Sequence, residues 1–249
     1  MFEDLKGKRI LVTGASSGIG ASIADTLSSY GALVGVHYRG NKKDALNVVS
    51  NITGQGGKAE LFQGDLLLAS VRANLLKSFT DAFGGIDVLV NNAGGAYGAK
   101  PFLELDEESW DNTFALNAKA PFFLARATFS LMKEQCGGKI INISSISAKY
   151  GGSPQTLHYG AAKAALDSIT IGLARAGAPY NILVNSVRGG FIDTPFHKKM
   201  GRENLEARIK LIPLKRAGQP IDIARMVLFL AAETGDYITG EVFTVAGGD

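Results

Sequence analysis

Cysteine is nearly absent. The 249-residue chain has one, Cys136, which finds no partner for an internal disulfide, so a reducing, cytoplasmic compartment is expected. Histidine is scarce too. His37, His158 and His197 come with no cysteine pair and no HExxH spacing, and no metal site is expected. Long apolar runs are missing: the unpatterned stretch 226–232 spans seven residues, where a membrane helix needs about 20. The first nine residues carry early acids and no apolar stretch of signal-peptide length. An excess of one charge sign is missing as well. Lys plus Arg number 26 and Asp plus Glu 23, giving +3, mixed along the chain, which argues against a nucleic-acid-binding face.

Glycine, by contrast, is plentiful at 31 residues, about 12% against a usual 7%. With proline it reaches 38 residues, about 15%, well below the roughly 25–30% of low-complexity disorder. The glycines have no three-residue period, which excludes collagen. Hydrophobic content of 46% supports a sizeable core, and with no linker or internal repeat the whole of 1–249 reads as one domain.

Short β-branched runs at 9–13, 33–37, 59–63, 88–91, 139–144, 182–186 and 242–245 alternate with amphipathic segments. Most of the runs are apolar nearly throughout, as strands buried on both faces must be. Ile19, Ile23 and Leu27 recur every fourth residue after the first run, a stripe that packs on a sheet. The pattern predicts an α/β, doubly wound, Rossmann-like parallel sheet of about seven strands with helices on both faces. Ligands bind such sheets beyond the carboxyl ends of the strands. One segment breaks the alternation. Residues 191–216 carry Lys198, Lys199, Arg202, Arg208, Lys210, Lys215 and Arg216, and a long insertion at the end of a strand reads as a substrate lid.

The first strand runs into Thr13-Gly14-Ala15-Ser16-Ser17-Gly18-Ile19-Gly20. Glycines at 14, 18 and 20 allow a tight turn into a helix and close approach of backbone N–H groups to a pyrophosphate, with the helix N-terminus adding favourable potential. No Gly-Lys-Ser/Thr follows, so this is not a Walker loop. The spacing resembles the short-chain dehydrogenase/reductase family, and the family's other motifs follow in order over essentially the whole chain. They are Asp65, Asn91-Asn92-Ala93-Gly94, Asn117, Ser145, Tyr159-x-x-x-Lys163 and Gly190-x-x-x-Thr194.

That resemblance implies a nicotinamide cofactor. Gly14, Ser16, Ser17, Gly18, Ile19 and Gly20 would cradle the pyrophosphate. Asp65 and Leu66 would bracket the adenine, Asn91 would lie near the adenosine ribose, and Ala93 and Gly94 would also bind the cofactor. Gly190, Ile192 and Thr194 would contact the nicotinamide end. An acid at the end of the second strand would bond the ribose hydroxyls of NAD and repel the extra phosphate of NADP. Here Tyr38 stands at that position and Arg39 follows; a guanidinium offers a fork of donors suited to phosphate. NADP(H) is the expected cofactor, with Arg39, and Ser16 or Tyr38 beside it, holding the phosphate. Gly189-Gly190 replaces the family's usual Pro-Gly, which implies a less restricted nicotinamide loop.

Tyr159 and Lys163 are four apart on a predicted helix, hence on one face. A nearby ammonium favours tyrosinate and moves the tyrosine from its ordinary value of about 10 toward working pH. The resemblance then implies hydride transfer between the nicotinamide and a ketone or secondary alcohol. Tyr159 protonates the alkoxide, Ser145 donates to the same oxygen, Lys163 holds the nicotinamide ribose, and Asn117 orders a water that relays protons to Lys163. Ser144 and Ser147 compete with Ser145 for its assignment. His158 is expected as a partly exposed neighbour of the helix start, without a role.

The resemblance is nearest to 3-oxoacyl-carrier-protein reductases, with glucose-dehydrogenase-like members as the alternative. The family's basic carrier-docking positions read Cys136 and Tyr180, though Lys133, Lys139 and Arg175 are close; a free small-molecule carbonyl or alcohol is favoured over a carrier protein. The end of the chain after the seventh strand disfavours the extended epimerase and dehydratase branch. The presence of Ser, Tyr and Lys together disfavours a non-catalytic NADP-binding regulator. Ala-rich, apolar stretches at 118–132 and 161–173 fit the homotetramer common in the family.

Overall fold

A computed structural model describes residues 2–195 and 205–249. Seven strands form one parallel sheet: β1 (Arg9–Val12), β2 (Leu33–Tyr38), β3 (Lys58–Gln63), β4 (Val88–Asn91), β5 (Gly138–Ser145), β6 (Ile182–Gly189) and β7 (Val242–Val245), in the spatial order β3-β2-β1-β4-β5-β6-β7. Strand order reverses between β1 and β4, the position at which open α/β sheets form a ligand crevice.

Side chains alternate across each strand, and both faces are covered. Ile10 and Val12 of β1 join Val34, Val36, Val88 and Val90 against helices α1 (Gly18–Ser29) and α9 (Pro220–Ala231). Leu11 points the other way, with Leu89, Ile140 and Val184, onto α3 (Ala69–Phe83), α5 (Ala120–Glu134) and α7 (Leu157–Gly177). Among the described residues the remaining helices are α2 (Lys42–Gly54), α4 (Glu107–Phe114), α6 (Ser147–Tyr150) and α8 (Leu205–Leu211). A π-type turn, Ala115–Lys119, joins α4 to α5 and carries Asn117. Such widened turns gather at functional sites.

The 191–216 segment enters through a bridge between Ile192 and Gly218 and includes α8. Lys198, Lys199 and Arg202 lie outside the described residues. Among the described residues no helix is long and apolar enough to cross a membrane.

Candidate active site

A groove of about 1040 Å³ runs along the carboxyl ends of the strands. Its floor is a clamp between the loops after β1 and β4. Thr13 Oγ1 accepts from the N–H groups of Asn92 (2.9 Å) and Ala93 (3.0 Å), and Asn92 Nδ2 donates to the carbonyls of Thr13 (2.8 Å) and Gly14 (3.0 Å). Gly14 has φ +63°, and a Cβ there would stand 2.8 Å from Ala93 Cα. A Cβ on Gly20 would run into Gly14 O at 2.5 Å and into Asn92 Nδ2. The loop is thus shaped by contacts that leave no room for side chains, and the N-terminus of α1 behind it favours an anion.

His37, at the end of β2, completes this clamp from the other side. Gly14 N–H donates to Nδ1 at 3.1 Å, so the ring proton sits on Nε2 and donates to Gly64 O, also at 3.1 Å. Burial pushes its pKa down to about 4, which keeps the imidazole neutral. The partners of His37 lie 23 and 27 residues away, so nothing beside it in the sequence signals this role.

Ser16, Ser17, Gly18 and Ile19 line the groove beside Gly14 and Gly20. Asp65 and Leu66 line the groove as well; Asp65 Oδ1 accepts from Leu67 N (3.0 Å), and the buried Arg72 holds the Leu66 carbonyl at 2.5 Å. Arg39 is exposed at the rim. Tyr38 also lines the groove, but its ring is buried and its hydroxyl donates to Gln63 Oε1 at 3.4 Å. That hydroxyl is turned to β3.

Ala93, Gly94, Ser145, Tyr159, Lys163, Gly190, Ile192 and Thr194 also line the groove. Lys163 is buried, and its Nζ donates to the Ile143 carbonyl at 2.7 Å and stands 5.8 Å from the centre of the Tyr159 ring. Burial lowers its pKa to about 8, with the Asp167 carboxylate opposing the shift. Ser145 Oγ accepts from Ser147 N–H at 3.1 Å, which leaves the hydroxyl proton to donate elsewhere. Ser144 is buried and donates instead to the Lys163 carbonyl at 3.4 Å. Of the three serines considered, Ser145 is the one that ends β5 at the groove with its proton uncommitted.

Two expected site residues do not reach the groove. Asn91 is buried in the sheet, its Nδ2 on Asn142 Oδ1 (2.9 Å) and Pro121 O (3.4 Å). Strand alternation places it on the same face as Leu89, under α5, so its side chain is part of the core and not a ribose ligand. Asn117 is also fully buried. Its carboxamide accepts from Gly95 N (3.2 Å) and donates to Gly95 O (2.6 Å) and Thr113 O (2.8 Å). It shapes the loop after β4. His158, expected to be partly exposed, is fully buried, and its Nε2 donates to the Tyr97 carbonyl at 2.8 Å.

The loop after β6 is held despite lacking proline. Ile146 N–H donates to Gly189 O (2.9 Å), Gly190 N–H to Val245 O (3.0 Å) and Gly218 N–H to Phe191 O (2.9 Å). A Cβ on Gly18 would lie 3.3 Å from Thr194 Cγ2, so this loop closes onto the glycine turn.

The residues fit a dinucleotide. The groove matches the larger ligand pockets in size, its floor is open only to glycine, and the backbone N–H groups at the start of α1 face it. Sheet order and groove together are those of a dinucleotide-binding α/β protein. Residues 14–249 match a family model described as enoyl-(acyl carrier protein) reductase. The chain is 38% identical over 241 residues to the 3-oxoacyl-[acyl-carrier-protein] reductase FabG of Staphylococcus aureus, covering 97% of both chains. It is similar to a 7α-hydroxysteroid dehydrogenase solved with NADH and 7-oxo glycochenodeoxycholic acid (TM-score 0.93, 32% identity, 99% of this chain and 96% of that one). It also resembles the angucycline C-6 ketoreductase LanV solved with NADP (TM-score 0.91, 36% identity, 98% and 96%). The chain belongs to the short-chain dehydrogenase/reductase family, which binds a nicotinamide cofactor, and is an oxidoreductase.

Proposed function

We propose that the protein interconverts a ketone and its secondary alcohol with NADP(H), using Tyr159, Lys163 and Ser145. The observation that carries this reading is the convergence of the three side chains at one end of the groove, with the Lys163 ammonium buried beside the Tyr159 ring. The cofactor, when bound, supplies or takes up the hydride. Tyr159 gives its phenolic proton to the alkoxide oxygen in reduction and takes it back in oxidation. Ser145, whose Oγ is steadied by Ser147 N–H, donates to the same oxygen as charge develops there. Lys163 lowers the cost of tyrosinate through its positive charge and would bond the nicotinamide ribose. Asn117 acts by fixing Gly95 and with it the wall beside Gly94. The phenol is the group this mechanism needs most. Tyr159→Phe should bring NADPH oxidation with a good ketone below a few per cent of parent while leaving NADPH binding measurable by fluorescence. Activity well above that level would refute the mechanism.

The preference for the phosphorylated cofactor rests on Arg39 and on the absence of a carboxylate at position 38. kcat/KM for NADPH should exceed that for NADH, and Arg39→Asp should reverse the order. A parent that uses both equally would refute the preference. A free small carbonyl suits the surface better than a carrier protein. Lys139, one of the basic groups near the docking positions, is committed to Asp236 at 2.6 Å, and Lys133 lies over the Tyr180 ring at 3.9 Å. Leu205 and Arg208 line the groove, which supports 191–216 as a substrate lid. A homotetramer built on α5 and α7 completes the reading, and light scattering tests it.

A further inference from the structure

Two residues that line the groove, far apart in sequence, are joined by a side-chain bond. Arg39 Nη1 donates to the Tyr97 hydroxyl at 2.7 Å, across 58 residues of sequence, and both side chains line the groove. Among the described residues this is the one bond made by the Arg39 guanidinium. The partner is not a loose loop residue. Tyr97 N–H donates to Thr113 Oγ1 at 3.0 Å and its carbonyl accepts from His158 Nε2 at 2.8 Å. Thr113 and His158 are both fully buried. Two residues earlier, Gly95 is gripped from both sides by Asn117. On the other side the Arg39 carbonyl receives Gln63 Nε2 at 3.2 Å. Both backbones are therefore fixed before any ligand arrives.

We infer that Tyr97 is a specificity-determining residue for the cofactor: it holds the Arg39 guanidinium ready to receive a 2′-phosphate. The inference rests on the NADP(H) reading above and adds a residue that lies outside the glycine loop and the β2 terminus. A guanidinium carries five N–H donors in a planar fork. The tyrosine occupies one of them on Nη1, which leaves the edge formed by Nε and Nη2 for a bidentate contact with phosphate oxygens. An exposed arginine otherwise samples many rotamers and gives up that freedom on binding. One already tethered gives up less, which is how preorganisation raises affinity. The phenol can serve this purpose because it accepts without bringing negative charge next to a phosphate.

The test is the ratio of KM for NADPH to KM for NADH, measured in the parent, Tyr97→Phe, Arg39→Ala and the double variant with one ketone. The phenylalanine keeps the ring and removes the acceptor. The ratio should rise about 2–10-fold in Tyr97→Phe, the range set by the freedom that one immobilised side chain gives up, with KM for NADPH changing more than kcat. In the Arg39→Ala background Tyr97→Phe should leave the ratio unmoved, because its effect passes through Arg39; a purely structural role of the loop would move both cofactors alike and would not depend on Arg39. A parent that does not favour NADPH overturns the NADP(H) reading and this inference together. A parent that favours NADPH but shows an unchanged ratio in Tyr97→Phe overturns the inference alone. A ratio that falls would mean that Tyr97 competes with the phosphate for Arg39, and overturns it too.

Discussion

The Lys163 ammonium donates to the main-chain carbonyl of Ile143 at 2.7 Å inside the protein, with Asp167 one turn further along α7. Burial costs the charged form, and the pKa falls from 10.5 to about 8. The Asp167 carboxylate limits the fall, although it is shared with Arg188 Nε at 2.8 Å and Ser186 Oγ at 3.0 Å. The side chain that the proposed chemistry needs is thus one that the fold holds at a cost.

That cost should be visible in unfolding. Between about pH 8 and 10.5 the unfolded chain keeps the lysine proton while the folded chain has released it, so stability rises with pH through this window. Below pH 8 the whole cost is present, on the order of 3 kcal/mol. Lys163→Met has no such dependence. It also leaves the Ile143 carbonyl unpaired, which offsets about 1 kcal/mol or more. The methionine variant should be inactive, more stable than the parent at pH 7, and lose that advantage as pH approaches 10.5. Urea titrations at several pH values check this; a difference between the two proteins that stays flat from pH 7 to 10.5 would count against it.

The seven strands were readable because a sheet covered on both faces leaves near-continuous apolar runs, and the predicted runs meet the observed strands within three residues at every end. Tyr159 and Lys163 were readable because their juxtaposition is local, one turn of one helix. Gly14, Gly18 and Gly20 were readable from spacing. What escaped depends on which distant residue each side chain meets. Asn91 and Asn92 are adjacent and chemically alike, yet strand alternation buries the first against Asn142 and sends the second to the glycine loop. Asn117 sits in a π-type turn that turns its carboxamide onto Gly95. His37 and His158 pair with backbone groups 23 to 61 residues away, and nothing in their neighbouring sequence announces it.

His37 supplies an acid-side counterpart to Lys163. Its folded pKa of about 4 lies below the ordinary 6.5, so between those values the unfolded chain binds the proton and the folded chain does not. Stability is therefore fully present above pH 6.5 and is lost as pH falls toward 4, by on the order of 3 kcal/mol. Protonation would also place a donor on Nδ1 facing Gly14 N–H. Asparagine can accept from Gly14 without titrating, so His37→Asn should flatten this part of the stability profile. Thermal melts from pH 4 to 7 for parent and variant decide it, and parallel profiles would refute the assignment of the loss to His37.

Adjacent glycines in the nicotinamide loop should respond in opposite ways. A Cβ on Gly189 would meet Ile223 Cδ1 at 3.5 Å and Ile192 Cγ1 at 3.6 Å, which is ordinary contact, and its φ is outside the left-handed region. Alanine there restricts the unfolded chain without straining the folded one, and Gly189→Ala should gain about 0.4–1 kcal/mol. A Cβ on Gly190 would stand 2.6 Å from Ala246 Cα. Neither backbone can yield readily, because Gly190 N–H is bonded to Val245 O at 3.0 Å and β6 and β7 pair up to that point. Gly190→Ala should cost about 1–3 kcal/mol, as overpacking does, and weaken NADPH binding by displacing the loop that leads to Ile192 and Thr194. Melting temperatures and NADPH fluorescence titrations of the two variants separate the cases. Losses of similar size at both positions would mean that the loop tolerates no side chain anywhere, and that hydrogen bonding does not replace the missing proline.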